Sequence, residues 1–123
     1  MPKKILVVED DMDNRRIVVK VLVVEGYEVI EAIDGVEALT RAREELPNLI
    51  LMDLALPKMD GWEATRQLKM DPVTRAIPVV ALTAFAMRGD EEQARAAGCD
   101  DYLPKPVRPA TIRDIAKKFT GGN

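Results

Sequence analysis

The sequence predicts an α/β fold: a three-layer α/β/α sandwich in which helices cover both faces of a doubly wound, five-stranded parallel sheet. Short apolar runs alternate along the chain with longer segments of helical spacing. The runs are apolar throughout and lack the alternation of a strand with one face in water, which indicates strands buried on both faces. Regular alternation of strand and helix implies right-handed crossovers and therefore parallel pairing.

Five apolar runs predict the strands, and five segments between and after them predict the helices. The strand runs are 5–8, 29–33, 49–52, 79–82 and 102–103. Helical spacing covers 12–25, a segment that begins after Asp34, 61–70, 90–97 and 109–119. Gly26 is suited to a C-terminal cap, and Asp34 and Glu37 have the spacing of a capping box. The closing residues 120–123 are expected to form a frayed tail.

The first helix is the one segment whose local propensity conflicts with its predicted structure. Residues 17–24 are mostly β-branched and by propensity alone favour a strand. The Gly26 cap, the acidic start and the need for a crossover outweigh this weak preference. Helical spacing turns Ile17, Val18, Val21 and Leu22 towards the sheet and leaves Val19, Val23 and Val24 as an additional apolar surface.

Composition excludes several classes of protein. With 123 residues, 47% of them apolar, the chain has enough material for one core and one domain, residues 1–123. The net charge of −3 and the scattered basic residues argue against nucleic-acid binding. No stretch reaches the length of a membrane span and the N-terminus lacks a signal-peptide region, so a cytoplasmic protein is expected. Cys99 is the only cysteine, which fits a reducing compartment.

The residues that follow the strands carry the chemistry, because ligands of doubly wound sheets bind beyond the carboxyl ends of the strands. Those residues are Glu9, Asp10 and Asp11 after the first strand, Asp53 after the third, Thr83 after the fourth and Lys105 after the fifth. Gathered carboxylates repel one another unless a cation neutralises them, and an oxygen-only set favours Mg²⁺ or Mn²⁺ over zinc. A carboxylate, a hydroxyl and an ammonium beside such an ion suit phosphoryl transfer. The turns at Asp34 and Asp60 are assigned to helix starts and not to this site.

Four motifs resemble the bacterial response-regulator receiver domain, and the resemblance covers essentially the whole chain. They are ILVVEDD at 5–11, LMDLALPKMDG at 51–61, VALTA at 80–84 and DYLPKP at 101–106. The stretch TAFAMRGDE at 83–91 is further similar to single-domain cell-division regulators. The resemblance implies the flavodoxin-like fold of the chemotaxis regulator, with strand order 2-1-3-4-5.

The resemblance also assigns roles to individual residues. It implies that Asp53 is phosphorylated and, with Glu9, Asp10 and the backbone carbonyl of Ala55, handles Mg²⁺. It implies that Lys105 and Thr83 bind the phosphoryl group and that Thr83 and Tyr102 form the conformational switch. Pro106 is expected to follow a cis peptide bond, and Pro104 is tolerable in the last strand only if that strand lies at an edge.

The implied function is a two-component response regulator that catalyses only its own phosphorylation and dephosphorylation. Because the sequence contains no histidine, the phosphohistidine donor belongs to a partner, a sensor histidine kinase or a histidine phosphotransfer protein. With no effector domain, output requires binding to a downstream protein, by a monomer or weak dimer. The extra apolar surface of the first helix is a candidate contact for the donor or for self-association. A receiver excised from a hybrid kinase or larger regulator is the alternative.

Three other functions are compatible with parts of the pattern. A haloacid dehalogenase needs a second acid two residues after the nucleophile, where this chain has Ala55. A flavodoxin needs a phosphate-binding first loop rich in Ser, Thr and Gly, whereas this loop is acidic. A degenerate receiver would bind partners without phosphorylation.

Ala55 and Phe85 stand at the positions where similar domains orient the water that hydrolyses the aspartyl phosphate. Neither side chain can orient a water, which predicts a long-lived phosphorylated state.

Overall fold

The computed structural model of the protein describes residues 2–84 and 90–122. Within these ranges, five parallel strands form one sheet in the order β2-β1-β3-β4-β5, as predicted. The strands are β1 (Lys4–Val8), β2 (Glu28–Ala32), β3 (Leu49–Asp53), β4 (Val79–Thr83) and β5 (Asp101–Pro104). The helices are α1 (Met12–Val24), α2 (Gly35–Glu45), α3 (Gly61–Met70), α4 (Asp90–Ala97) and α5 (Pro109–Thr120). In the described part of the chain, no helix combines the length and apolar character needed to cross a bilayer.

The sheet separates two apolar cores. On one face, Ile5 and Val7 of β1 belong to one core cluster with Leu22 of α1 and Ile112 of α5. On the other face, the core is formed by alternate residues of the same strands together with α2 and α3. Every residue of β3 and β4 is buried. This double covering explains why the central strands are apolar from end to end.

The helix caps follow the sequence signals, with one shift. The Asp34 carboxylate accepts the backbone N–H of Glu37 at 2.7 Å, which caps α2 as predicted. The Glu37 carboxylate accepts a hydrogen bond from the N–H of Ile33 at 3.2 Å. In a standard capping box the donor would be the N–H of Asp34, one residue later. Gly26 follows the end of α1 with φ of 92°, the left-handed conformation that favours glycine at this position.

Helix α1 is helical throughout, so tertiary structure overrides its β-branched composition. The predicted orientation is correct for Val18 and Leu22, which are buried against the sheet. It is wrong for Ile17, which is 53% exposed, and for Val19, which packs against the core. The helix is therefore rotated about its axis from the expected orientation: the buried stripe is centred on Val18 and Leu22 and extends towards Val19 instead of Ile17. Val23 remains exposed, as predicted.

The last strand and the last helix test two further expectations. Strand β5 lies at the edge of the sheet, which is the placement that Pro104 requires, and the Lys105–Pro106 peptide is cis. The expected fraying does not begin at Thr120, which ends α5 and is buried. Its hydroxyl lies 3.2 Å from that of Tyr27, and its carbonyl accepts a hydrogen bond from Lys3 Nζ at 2.8 Å.

Candidate functional site

The carboxyl ends of the parallel strands bring the predicted residues to one edge of the sheet. Asp53 ends β3 and Thr83 ends β4, while Glu9 and Lys105 directly follow β1 and β5. Glu9, Asp53 and Thr83 are 3%, 4% and 2% exposed. The strand order places β1 and β4 on either side of β3, so Asp53 occupies the centre of the group.

Lys105 connects the two buried carboxylates. Its Nζ donates to Oδ2 of Asp53 at 2.8 Å and to Oε1 of Glu9 at 2.9 Å. Burial disfavours the charged ammonium, but the hydrogen bonds to both acids outweigh this effect and hold the pKa of Lys105 above its usual value. The lysine therefore stays protonated as the counterion of the site.

Glu9, Asp10 and Asp53 form an acidic cluster. One carboxylate oxygen from each residue lies within 4.8 Å of the other two. Burial, and secondarily the neighbouring Asp53 carboxyl, raise the pKa of Glu9 to about 7, against the opposing effect of Lys105. Among the described residues, nothing hydrogen-bonds the buried Oε2 of Glu9. An unsatisfied buried oxygen in an oxygen-only cluster fits a hard divalent cation, which would supply the missing partner.

The backbone of Ala55 contributes to the geometry of the Asp53 carboxylate. Its N–H donates to Oδ1 of Asp53 at 3.1 Å, so both oxygens of this carboxylate have a donor from the chain. Fixing both oxygens restricts rotation of the carboxylate. The metal-binding role expected for the Ala55 carbonyl stays a prediction.

A cleft of about 190 Å³ opens beside Asp53. It is lined by Asp53, Leu54, Ala55, Trp62, Thr83, Ala84 and Lys105. Trp62 stands near the start of α3 and packs against the buried Leu54. The only tryptophan of the chain thus borders the cleft and can report on its contents by fluorescence.

Tyr102 lies in β5 in register with Ala81 of β4. Its side chain is partly buried and packs in a small cluster with Leu54 and Ala81. This places it one strand away from Thr83, while the switch role itself stays a prediction. Phe85 lies outside the described residues. The prediction of slow phosphate hydrolysis, which depends on Ala55 and Phe85, therefore stays a prediction.

Gly61 supports the site, although its sequence context indicated only a turn and a helix start. Its N–H donates to the carbonyl of Leu54 at 3.1 Å. A Cβ built on Gly61 would overlap the carbonyl oxygen of Asp53 and lie 2.7 Å from the Cα of Leu54. Only glycine permits α3 to start this close to the strand that ends in Asp53. A glycine beside an acid signals a turn, but no sequence signal reveals such a close tertiary approach.

With the fold and the site described, the chain can be compared with known proteins. Residues 5–117 match the family model described as the response regulator receiver domain. The chain belongs to this family. Receivers are signalling modules and not a class of metabolic enzymes, so the match sets aside the dehalogenase and flavodoxin alternatives.

Individual receivers resemble the chain over nearly its full length. The polar-differentiation response regulator DivK of Brucella anthropi is 45% identical over 121 residues, which are 98% of each chain. The receiver domain of a sensor histidine kinase from Pseudomonas aeruginosa superposes with a TM-score of 0.92 at 37% identity, covering 99% of this chain and 100% of that one. That crystal structure holds a magnesium ion in its active-site cleft. A chemotaxis response regulator of Vibrio cholerae gives a TM-score of 0.90 at 29% identity, with coverage of 97% and 99%.

The close approach of Gly61 leads to a prediction about stability. Gly61→Ala is expected to lower the free energy of unfolding by about 3 kcal/mol, because the new methyl group overlaps the backbone at the end of β3. Gly121→Ala is the matched control. Gly121 has φ of 80°, but a Cβ built on it meets no other atom within 4 Å, so only backbone strain of about 1 kcal/mol is expected. Urea denaturation compares the two variants, and equal losses would show that the close approach imposes no constraint.

Proposed function

We propose that this receiver accepts a phosphoryl group on Asp53 from a phosphohistidine of a partner protein, in a Mg²⁺-dependent reaction, and signals by a conformational change that alters protein binding. The observation that carries the proposal is the carboxylate of Asp53, buried, oriented by two donors and adjacent to two further acids. Two carboxylates that merely capped helices would not share the half-buried lysine that bonds both Asp53 and Glu9.

Glu9, Asp10 and Asp53, together with the carbonyl of Ala55, are the residues that would hold Mg²⁺. A bound Mg²⁺ supplies positive charge next to the phosphoryl oxygens and leaves the acids ionised. The magnesium reported for the Pseudomonas receiver supports this assignment by similarity.

The chain's own residues then account for the transfer. A carboxylate oxygen of Asp53 forms the new P–O bond as the P–N bond of the phosphohistidine breaks, and the bonding pair remains on the imidazole nitrogen of the donor. The Lys105 ammonium offsets charge on the phosphoryl oxygens, and the Thr83 hydroxyl donates a hydrogen bond to one of them. The N–H of Ala55 orients the attacking carboxylate before the donor arrives.

The same contacts provide a route for the signal. When the Thr83 hydroxyl turns towards a phosphoryl oxygen, the space beside β4 changes, and Tyr102 on the neighbouring strand moves into it. Tyr102 is only partly buried and lies in register with Ala81, whose small side chain leaves room for this movement. The outward readout is a changed surface around β5.

An apolar cleft next to the site suits the donor. It has a volume of about 330 Å³ and runs between α1 and the segment after β5. Its apolar lining includes Ile17, Val18, Pro106 and Val107, and Lys105 and Glu9 lie at its margin. A helical donor protein seated here would present a phosphohistidine to Asp53. Ile17, which is exposed at the rim of this cleft, is the residue best placed to contact it.

The likeness to DivK, of which the match spans 98%, supports a regulator that acts as a single receiver. The Pseudomonas neighbour, a domain of a sensor kinase, keeps the alternative of a receiver in a larger protein. The two alternatives share the chemistry at Asp53 and differ in whether the downstream contact is made within one chain or between chains.

Phosphorylation at Asp53 is tested with acetyl phosphate and mass spectrometry. Wild type is expected to gain one phosphoryl group in Mg²⁺ and none in excess chelator, because unneutralised carboxylates repel the incoming dianion. Asp53→Asn should gain none under either condition. Asp60→Asn is the control, since this acid caps α3 without belonging to the cluster and should leave the reaction intact. An adduct that persists in Asp53→Asn contradicts the proposal.

The raised pKa of Glu9 makes cation binding pH-dependent. Below about pH 7 Glu9 is largely protonated and must lose its proton before it can ligate a cation. The affinity for Mg²⁺ should therefore rise about tenfold from about pH 6 to about pH 8, in proportion to the ionised fraction. Calorimetry in buffers of different ionisation enthalpy measures the protons released. The dependence of Mg²⁺ affinity on pH should become weaker in Glu9→Gln. An unchanged dependence in that variant would assign the released proton to another group.

The donor cleft is tested by Ile17→Glu. Transfer from a phosphorylated histidine phosphotransfer protein that reacts with wild type should fall about tenfold, because a charge replaces an apolar contact. Phosphorylation by acetyl phosphate, which needs no docking surface, should be unaffected. Val36→Glu on α2 is the matched control, since Val36 is 49% exposed and lies away from the cleft lining. Equal effects of the two variants on protein-mediated transfer would rule out this cleft.

A further inference from the structure

Arg15 has no role in the phosphoryl-transfer assignment, yet it is bonded to the backbone of the acidic cluster. It lies in the first turn of α1, and its side chain is only 15% exposed. Its Nη1 donates to the carbonyl oxygen of Glu9 at 2.9 Å, and its Nε donates to Oε1 of Glu31 at 2.8 Å. One guanidinium thus joins α1, the end of β1 and the edge strand β2.

The bond from Arg15 completes the fixation of the Glu9 backbone. The N–H of Glu9 donates to the carbonyl of Ala32 at 3.0 Å, and its carbonyl accepts from Arg15. Both polar groups of this residue therefore have partners from other elements. The carbonyl of Glu9 and the N–H of Asp10 belong to one planar peptide, so the bond also determines where the Asp10 side chain begins.

We infer that Arg15 is a positioning residue for the divalent-cation site, which rests on the proposed function of the acidic cluster. It does not touch the cation or the phosphoryl group. It holds the Glu9–Asp10 peptide so that two carboxylates meet that of Asp53 at cation-binding distance. Glu31 in turn orients the guanidinium, so the support extends from the cluster to the edge strand.

The sign of the expected effect separates positioning from simple electrostatics. Arg15 is a cation near a cation site, so by Coulomb's law its removal should tighten Mg²⁺ binding. Positioning predicts the opposite, because a released peptide lets the acidic residues move apart. Lysine retains the charge but not the planar fork that reaches two acceptors at once. Arg15→Lys should therefore bind Mg²⁺ no better than Arg15→Met.

The experiment measures Mg²⁺ affinity through the fluorescence of Trp62, with urea stability recorded in parallel. The dissociation constant should rise about tenfold in both Arg15→Met and Arg15→Lys, the size typical of lost outer support around a metal ligand. Glu31→Gln keeps an acceptor for Nε of Arg15 and should change the dissociation constant for Mg²⁺ less than threefold. Arg43→Met is the matched control, because it breaks an ion pair of the same 2.8 Å Nε–O distance between α2 and Asp71 at the end of α3. Its Mg²⁺ affinity should equal that of wild type.

A second measurement is independent of the metal. In metal-free protein, amide hydrogen exchange at Glu9, whose N–H donates to the carbonyl of Ala32, should be faster in Arg15→Met than in wild type, and unchanged in Arg43→Met. Affinity within twofold of wild type, or tighter, in Arg15→Met overturns the inference, as does unchanged exchange at Glu9. If wild type itself fails to bind Mg²⁺, the metal assignment fails, and the exchange comparison still decides whether Arg15 fixes the peptide.

Discussion

Two carboxylates buried at the end of a parallel sheet would repel each other strongly without a counterion, and the ammonium of Lys105 is the counterion they share. It bonds one oxygen of Asp53 and one of Glu9. The two acids remain different, however. Both oxygens of Asp53 have donors, whereas Oε2 of Glu9 has none among the described residues. The Asp53 carboxylate is therefore oriented by the chain itself, and the unsatisfied hydrogen-bonding capacity of the site is concentrated on Glu9.

The backbone around the cluster is as constrained as its side chains. Glycine at position 61 lets α3 begin against the peptide of Asp53, and Arg15 holds the peptide after Glu9. The first constraint works by leaving out a methyl group, the second by adding two hydrogen bonds. Together they constrain the backbone that follows β1 and the backbone at the end of the neighbouring strand β3, which carry the acids. Catalytic groups on loops can keep fixed distances only when the loops are held in this way.

The sequence was most informative where position depends on topology alone. Parallel strands bring their carboxyl ends to one edge, so the convergence of Glu9, Asp53, Thr83 and Lys105 could be predicted without coordinates. The exposure of Ile17 could not, because the rotation of a helix with apolar residues on several sides depends on how its neighbours pack. The approach of Gly61 and the bond of Arg15 are also tertiary, and neither leaves a local pattern beyond a turn residue and a charged helix start.

Pro104 affects how this chain can meet another. The N–H of Lys105 points inwards to the carbonyl of Thr83 at 2.7 Å, so the ring nitrogen of Pro104 faces the open side of the sheet. That rim is four residues long and lacks a donor at its end. A foreign strand finds too few groups there to extend the ladder, which guards this edge of the sheet against edge-to-edge aggregation. A protein that meets this side of the molecule has to bind it through side chains and not through a continued backbone ladder.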